Sequence, residues 1–426
     1  MRQPAGRAAA TGTAIVRARI ATALAVCALV AGPGLPAGPA AAADGAVERL
    51  APGVEYRAFA VPTAHGGARV HVVTADLRRT GVRAGLLYPG VVAARERVSR
   101  MAEAQGALAA VNGDFFDISE AEHPGIPATG APSGPVVADG RALKAAVPPG
   151  QRFGVPPLPG DSEWEVVGVG VDGVARTARL VLRGQVRTPA GSSPLRGLNQ
   201  YALAAGSIGA FTADWGGASR ARAACGTDTD RGGPCTGDTW ELTVRHGRVA
   251  AASATAGSGP VPPGDLVLFG REEGAQALRG AAVGTPVGVD YRLVADSGRP
   301  FSSALGAHRL LAGGRPLPGL DREVAEPRTA VGLARGGRVL RLLATDGREH
   351  ASSGLTLGEL ADLLASSGCE EGVYLDGGGS STLVTRDPGS GRVAVRNRLD
   401  RGFERAVANG LAIFPGRPGA PAVTGP

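Results

Sequence analysis
Apolar and polar positions alternate with period two over much of this chain, and helical spacing is confined to two stretches. Residues 53–60 and 68–76 alternate around the turn Ala64-His65-Gly66-Gly67, and 82–87 makes a third strand. Val92, Val98, Met101 and Ala102 recur at helical spacing and predict a helix over 91–105. A buried strand at 107–111 and a strand and turn at 136–141 follow. Residues 164–187 alternate on both sides of Asp172-Gly173, which predicts a hairpin. Further strands are expected within 199–214, 240–249, 265–269 and 287–296. Leu357, Leu360, Leu363 and Leu364 mark a second helix over 356–367, with Thr356 as N-cap and Gly368 as its stop. It feeds a buried strand at 373–375, and 407–414 closes the pattern. The Pro/Gly-rich stretch 147–161 reads as a linker or long loop. Together these elements predict an α/β (α+β) fold, with a mixed β-sheet core, flanking helices and a β-rich middle section. The expected organisation is a leader (1–43), an N-terminal part (44–160), the middle section or insertion (161–285), a C-terminal part (286–415) and a disordered tail (416–426).

The strand at 373–375 runs into Asp376-Gly377-Gly378-Gly379-Ser380-Ser381. Three glycines in a buried segment cost backbone entropy. They are tolerated where the chain needs positive φ or close approach of a ligand. Backbone N–H groups with the Ser380 and Ser381 hydroxyls can bind an anionic oxygen, and Asp376 faces the same place. A plain Gly-rich turn capped by Asp376 is the competing explanation. Three other segments share the pattern of an apolar strand meeting polar residues: Asn112-Gly113-Asp114-Phe115-Phe116, Pro327-Arg328-Thr329-Ala330-Val331-Gly332 and Thr345-Asp346-Gly347-Arg348. Loops at strand ends are where sheet proteins commonly build sites.

Charge and composition narrow the partners. The formal charge is +7. Arg2, Arg7, Arg17 and Arg19 precede an apolar run at 20–30 and Ala41-Ala42-Ala43, with no acid before Asp44. That predicts a secretory signal peptide cut near Ala43, and a run too short to span a bilayer. The mature charge is then 7 − 4 = +3, which does not point to nucleic acid. The expectation is a secreted, extracellular protein with no stable membrane span after processing. In an oxidising compartment Cys225 and Cys235, which bracket a polar loop, are expected to form a disulfide, leaving Cys369 as a buried thiol. No metal is expected, because CxxC pairs and His clusters are absent. No cofactor is expected either. The glycine run lacks the lysine of a nucleotide loop, and no GxSxG occurs.

Taken in order, NGDFF, PRTAVG, TDGR, the LTLGELA helix, YLDGGGSSTLV and Glu404-Arg405-Ala406-Val407-Ala408-Asn409-Gly410 resemble the phosphodiester glycosidase family. The resemblance runs from about Asn112 to Phe414 and is carried mainly by LDGGGSS and RTAVG. It implies hydrolysis of a sugar-1-phosphodiester, of N-acetylglucosamine-1-phosphodiester type, in cell-envelope or extracellular glycans. A phosphodiester leaves easily, so one carboxylate can suffice where most glycosidases use two. On this reading Asp376 is the first candidate for nucleophile or base, with Asp346 and Glu404 behind it, and Asn112 orients a sugar hydroxyl or oxyanion. Arg328 offers bidentate phosphate contacts. Thr329, Asp114, Gly377, Gly378, Gly379, Ser380, Ser381 and Arg405 complete the expected substrate contacts. The alternatives are a non-catalytic envelope protein that binds anionic glycans, and a phosphodiesterase that cleaves P–O.

Overall fold
The alternating stretches pair into sheets whose two faces are buried differently. The computed structural model describes residues 45–154, 158, 160–348 and 352–416. The expected leader, and the tail beyond Gly416, lie outside the described residues. Eight strands form one antiparallel sheet in the order Val47–Ala51, Val54–Thr63, Gly66–Asp76, Val339–Thr345, Thr329–Ala334, Glu371–Tyr374, His308–Ala312 and Arg315–Pro316. Five more form a second antiparallel sheet: Val393–Val395, Leu383–Arg386, Ala109–Asn112, Gly410–Pro415 and Val82–Leu87.

These two sheets pack face to face. Val73, Leu342, Val331 and Val373 of the first share one core with Val111, Leu383, Leu411 and Ile413 of the second. Successive side chains point to opposite faces, so the neighbours of these residues build the outer layers. Val72, Leu343 and Ala330 meet Leu357, Leu360 and Leu364 of a helix, Leu357–Ser366. Ala110, Val384 and Ala412 meet Val98, Met101 and Ala102 of another, Val98–Gln105. The first of these helices starts on a capping box. Thr356 Oγ1 accepts from the Glu359 N–H at 3.1 Å, and the Glu359 carboxylate accepts from the Thr356 N–H at 2.9 Å.

A third sheet occupies the middle section. It runs from Arg248–Ser253 through Thr239–Arg245, Leu266–Arg271, Ile208–Phe211, Gly191–Leu198, Ala175–Thr188 and Glu165–Gly170. It then takes in Phe301–Gly306, Val136–Ala138 and Arg141–Lys144, while Gly288–Ala295 pairs beside Ala175–Thr188. Gly191–Leu198 and Ile208–Phe211 pair in parallel.

The fold is therefore mostly β, with three α-helices of seven to ten residues among the described residues. This corrects the expected α/β class. The sheets are mixed, but the helices are too few and short for an α/β architecture, and both core sheets are antiparallel. The helix expected over 91–105 shows why. The Val92 and Ala93 N–H groups donate to the Asp214 and Trp215 carbonyls at 2.7 and 2.9 Å. Glu96 and Arg97 are extended and pair with Val407 and Ala406, so the helix begins only at Val98.

Cys225 and Cys235 are joined in a disulfide, and Cys369 is a buried free thiol. On a chain that starts at Asp44, thiol titration of the denatured, unreduced protein should count one cysteine; three would mean that the bridge is not made. Replacing both bridged cysteines by serine should lower stability by about 2–3 kcal/mol, the chain entropy a loop this short releases, as read from chemical denaturation.

Candidate active site
The two core sheets end together, and their ends are laced by one side chain. Thr329 opens a strand of the first sheet, and Tyr374 closes the strand beside it. Asn112 closes the central strand of the second sheet. Its amide is fully buried. The oxygen accepts from Thr329 Oγ1 at 2.7 Å and from the Thr382 N–H at 3.0 Å, while the nitrogen donates to the Asp376 carbonyl at 2.7 Å. The Asp376 N–H donates in turn to the Gly113 carbonyl at 2.9 Å, and the Leu375 N–H to the Thr329 carbonyl at 2.9 Å. Asn112 and Thr329 were expected to touch substrate. Their polar groups are instead spent inside the protein, and they hold Asp376 in place.

The glycines after Asp376 fold into a short 3₁₀ turn, Gly378–Ser380. Gly378 has φ +55°, a left-handed conformation that favours glycine. At Gly379 a Cβ would come within 2.5 Å of the Arg405 guanidinium, so the missing side chain lets that arginine lie on the loop. Arg405 donates to Ser380 Oγ at 3.2 Å, and Ser380 hydrogen-bonds the Asp376 carboxyl. Desolvation pushes Asp376 up to about 6, and the negative charge of Asp114 pushes the same way; the Ser380 hydroxyl, the Arg405 charge and the Gly377 N–H oppose them. The Ser381 and Thr382 hydroxyls and the Asn409 amide nitrogen are buried and have no hydrogen-bond partner.

Asp114 is buried one turn away. Its N–H donates to Asn409 Oδ1 at 2.9 Å, and its carboxylate accepts from the Gly134 N–H at 2.6 Å. Burial raises its pKa, against the pull of His308, the Gly134 N–H, Lys144 and Arg152. Lys144 is the single lysine of the chain. It is completely buried and donates to the Ser133, Gly134 and Ala145 carbonyls at 2.9, 3.0 and 2.6 Å. Burial drags its pKa down to about 7, with Asp114 and Glu163 opposing. Beyond Asp114, Arg152 lies over the Phe115 ring at 4.4 Å, hydrogen-bonds His308, interacts with the Tyr374 phenol and sits 3.5 Å from Glu163. His308 is held from its other nitrogen by Asp161 at 2.7 Å.

The remaining expected residues are placed differently. The Arg328 fork is closed by the Leu355 and Val324 carbonyls, each at 3.0 Å, and by Glu326 at 3.4 Å. Glu404 accepts from Ser99 N and Oγ at 2.8 and 2.5 Å and so caps the Val98–Gln105 helix. Asp346 accepts from His71 at 2.8 Å and from the Arg398 N–H at 2.7 Å. Burial alone would raise the Asp346 pKa, but those hydrogen bonds outweigh it and the net shift is downward. Sequence reasoning missed Arg152 and Asp161 because the Pro/Gly-rich composition of 147–161 hid them, and Glu163 lies just beyond that stretch with no motif around it. It missed Lys144 and Asn409 although each carried a signal: a solitary lysine, and an amide inside the quoted segment. A cavity of about 770 Å³, lined by Arg78, Arg83, Tyr88 and Phe414 among others, includes none of these residues.

Asp376 should titrate near 6 by carbon-13 NMR of labelled aspartate, and Arg405→Gln should raise that midpoint by removing a favourable charge. Its folded pKa lies above the ordinary carboxylate value. The stability it contributes is therefore fully present below about 3.8 and is lost as pH rises through 6. An Asp376 midpoint in the ordinary carboxylate range would refute the desolvated environment.

Comparison with known proteins agrees with this architecture. A crystal structure of a hypothetical protein from Synechocystis superposes with a TM-score of 0.65 at 20% identity, over 85% of this chain and 62% of that one. A Burkholderia pseudomallei protein named as exported gives 0.61 at 25% identity, over 82% and 74%. The SPbeta prophage-derived protein YomE of Bacillus subtilis is 37% identical over 93 residues, which are 22% of this chain but 13% of YomE. This chain thus spans less than two thirds of the Synechocystis protein, and its match to YomE is a small part of that relative. The phosphodiester glycosidase family model matches residues 238–414, a stretch that holds Arg328, Asp376, the glycine turn and Arg405 but not Asn112 or Asp114. Over those residues the chain carries a domain of the phosphodiester glycosidase family.

Proposed function
We propose that this site hydrolyses a sugar-1-phosphodiester, with Asp376 as nucleophile or base at the anomeric carbon. The observation that carries the reading is the pairing of a desolvated carboxyl with one arginine across a glycine turn. Asp376, Ser380 and Arg405 form a continuous hydrogen-bonded and ionic set. A phosphate against the turn would meet the Arg405 fork and backbone N–H groups. Its neighbouring sugar carbon would then face Asp376. Arg405 takes the phosphate role that sequence reasoning gave to Arg328, whose donors are committed to carbonyls. Arg328, Asn112 and Thr329 serve as supports. The family match supports hydrolysis of this linkage class. An N-acetylglucosamine sugar, a cell-envelope or extracellular glycan as substrate, and secretion are part of the proposal. The likeness to a protein named as exported is consistent with it.

Turnover of an N-acetylglucosamine-1-phosphodiester in oxygen-18 water tests the bond cleaved. Label in the sugar supports C–O cleavage; label in the phosphate would make the protein a phosphodiesterase, and no turnover with retained affinity would make it a glycan-binding module. Asp376→Asn keeps size and hydrogen bonding but removes the charge, and should lower kcat by about 10³-fold or more. Arg405→Gln should cost about 10²-fold in kcat/KM. Arg328→Gln should lower Tm and leave kcat/KM within a few-fold, since the guanidinium ties Leu355, Val324 and Glu326 together. An active Asp376→Asn enzyme would remove the central assignment.

A further inference from the structure
We propose that Arg231, on the disulfide-closed loop of the middle section, is a positioning residue for the Asp114–Asp376 site. This rests on the reading of that site given above. The loop between Cys225 and Cys235 is anchored at its root: Arg222 and Arg271 donate to the Cys225 carbonyl at 2.9 and 3.5 Å, and Arg271 to the Gly226 carbonyl at 3.0 Å. From this fixed base Arg231 reaches out of the middle section in two directions.

One direction leads to the loop that carries Asp114. Arg231 donates to Asp117 Oδ1 and the Ser119 carbonyl, each at 2.8 Å, and to the Glu120 carboxylate. Asp117 lies three residues beyond Asp114. Its other oxygen is taken by the Thr129 N–H and hydroxyl at 2.7 and 2.8 Å. Asp117 and Glu120 are both buried, so Arg231 is the cation that makes their burial tolerable, together with Arg222 on Glu120 at 2.7 Å. His123 adds a tie back to the loop through the Gly233 carbonyl at 2.8 Å.

The second direction leads to Asp376. Arg231 donates to the Gln151 carbonyl at 3.1 Å. The next residue, Arg152, packs on Phe115 and interacts with Tyr374, which closes its strand two positions before Asp376. One guanidinium therefore braces the Asp114 loop and the Arg152–Tyr374 contact at once. Beside this rank of side chains Asp114 is buried and Asp376 half-buried.

The variants Arg231→Lys, which keeps the charge but loses the fork, and Cys225→Ser/Cys235→Ser, which keeps Arg231 but frees its loop, test this. Both should stay folded by circular dichroism. Each should lower kcat by about tenfold to a hundredfold with little change in KM. Each should also move the Asp376 titration, read by carbon-13 NMR, down from about 6 toward the ordinary carboxylate value as water enters. The charged groups facing that carboxyl, Arg405 and Asp114, are untouched in both variants, so the shift reports access rather than lost charge. A lower Tm with the Asp376 midpoint and kcat unchanged would overturn the proposal and leave Arg231 a structural residue. If the wild type turns over no phosphodiester, the midpoint alone decides: movement supports the positioning role, and its absence refutes it.

Discussion
The buried amide of Asn112 is the constraint on which the site depends. Two antiparallel sheets packed through Val, Leu and Ile side chains have no reason of their own to stop in register at their ends. Asn112 supplies one, because its oxygen and nitrogen reach Thr329 and Asp376 of one sheet and Thr382 of the other's next strand. An amide in this position is all or nothing. Leaving a buried donor or acceptor unmade costs about 1–3 kcal/mol for each group, so partial docking of the sheets is penalised at several atoms together. The geometry of the Asp376 loop is in that sense a by-product of how the core closes.

Electrostatics then give the loop its character. Asp376, Asp114 and Glu163 are all shifted upward, desolvation being the largest cause for each. The cations near them are Arg405, Arg152 and a lysine whose own charge is weakened by burial. Burial thus opposes ionisation of each acid in the cluster. A phosphodiester brings a negative charge into this region, where the Arg405 guanidinium lies along the glycine turn and donates to Ser380 Oγ. Arg405 and Arg328 differ in surroundings, not in residue type: carbonyls close the fork of Arg328, and the glycine turn lies against Arg405.

Much of this was readable in the chain. Period-two alternation located most of the strands, and the Thr356 cap, the Leu stripe and Gly368 marked the Leu357–Ser366 helix to within a residue at each end. The LDGGGSS stretch marked the turn where Arg405 lies on Gly379. What was not readable is where polar groups point. Arg328 and Arg405 look alike in sequence, and so do Asp346, Glu404 and Asp376; only the carbonyls, the helix end and the imidazole beside them tell their surroundings apart. The fold class was misjudged for a related reason. Helical spacing at 91–105 is a local signal, and the strand Ala406–Val407 that holds Glu96 and Arg97 extended lies near the far end of the chain.

The order of strands in the second sheet bears on how the protein can be divided. Ala109–Asn112 lies between Leu383–Arg386 and Gly410–Pro415, and Gly66–Asp76 borders Val339–Thr345 in the first. The family-matched stretch from 238 to 414 is therefore not an excisable unit. Cut out alone, it would present two bare strand edges where a central strand belongs, and such edges pair with whatever chain comes next. In the intact chain the same interleaving ties assembly to length. Val82–Leu87 and Ala109–Asn112 have no sheet partner until the last third has been made, so their exposed edges must be kept from one another until then.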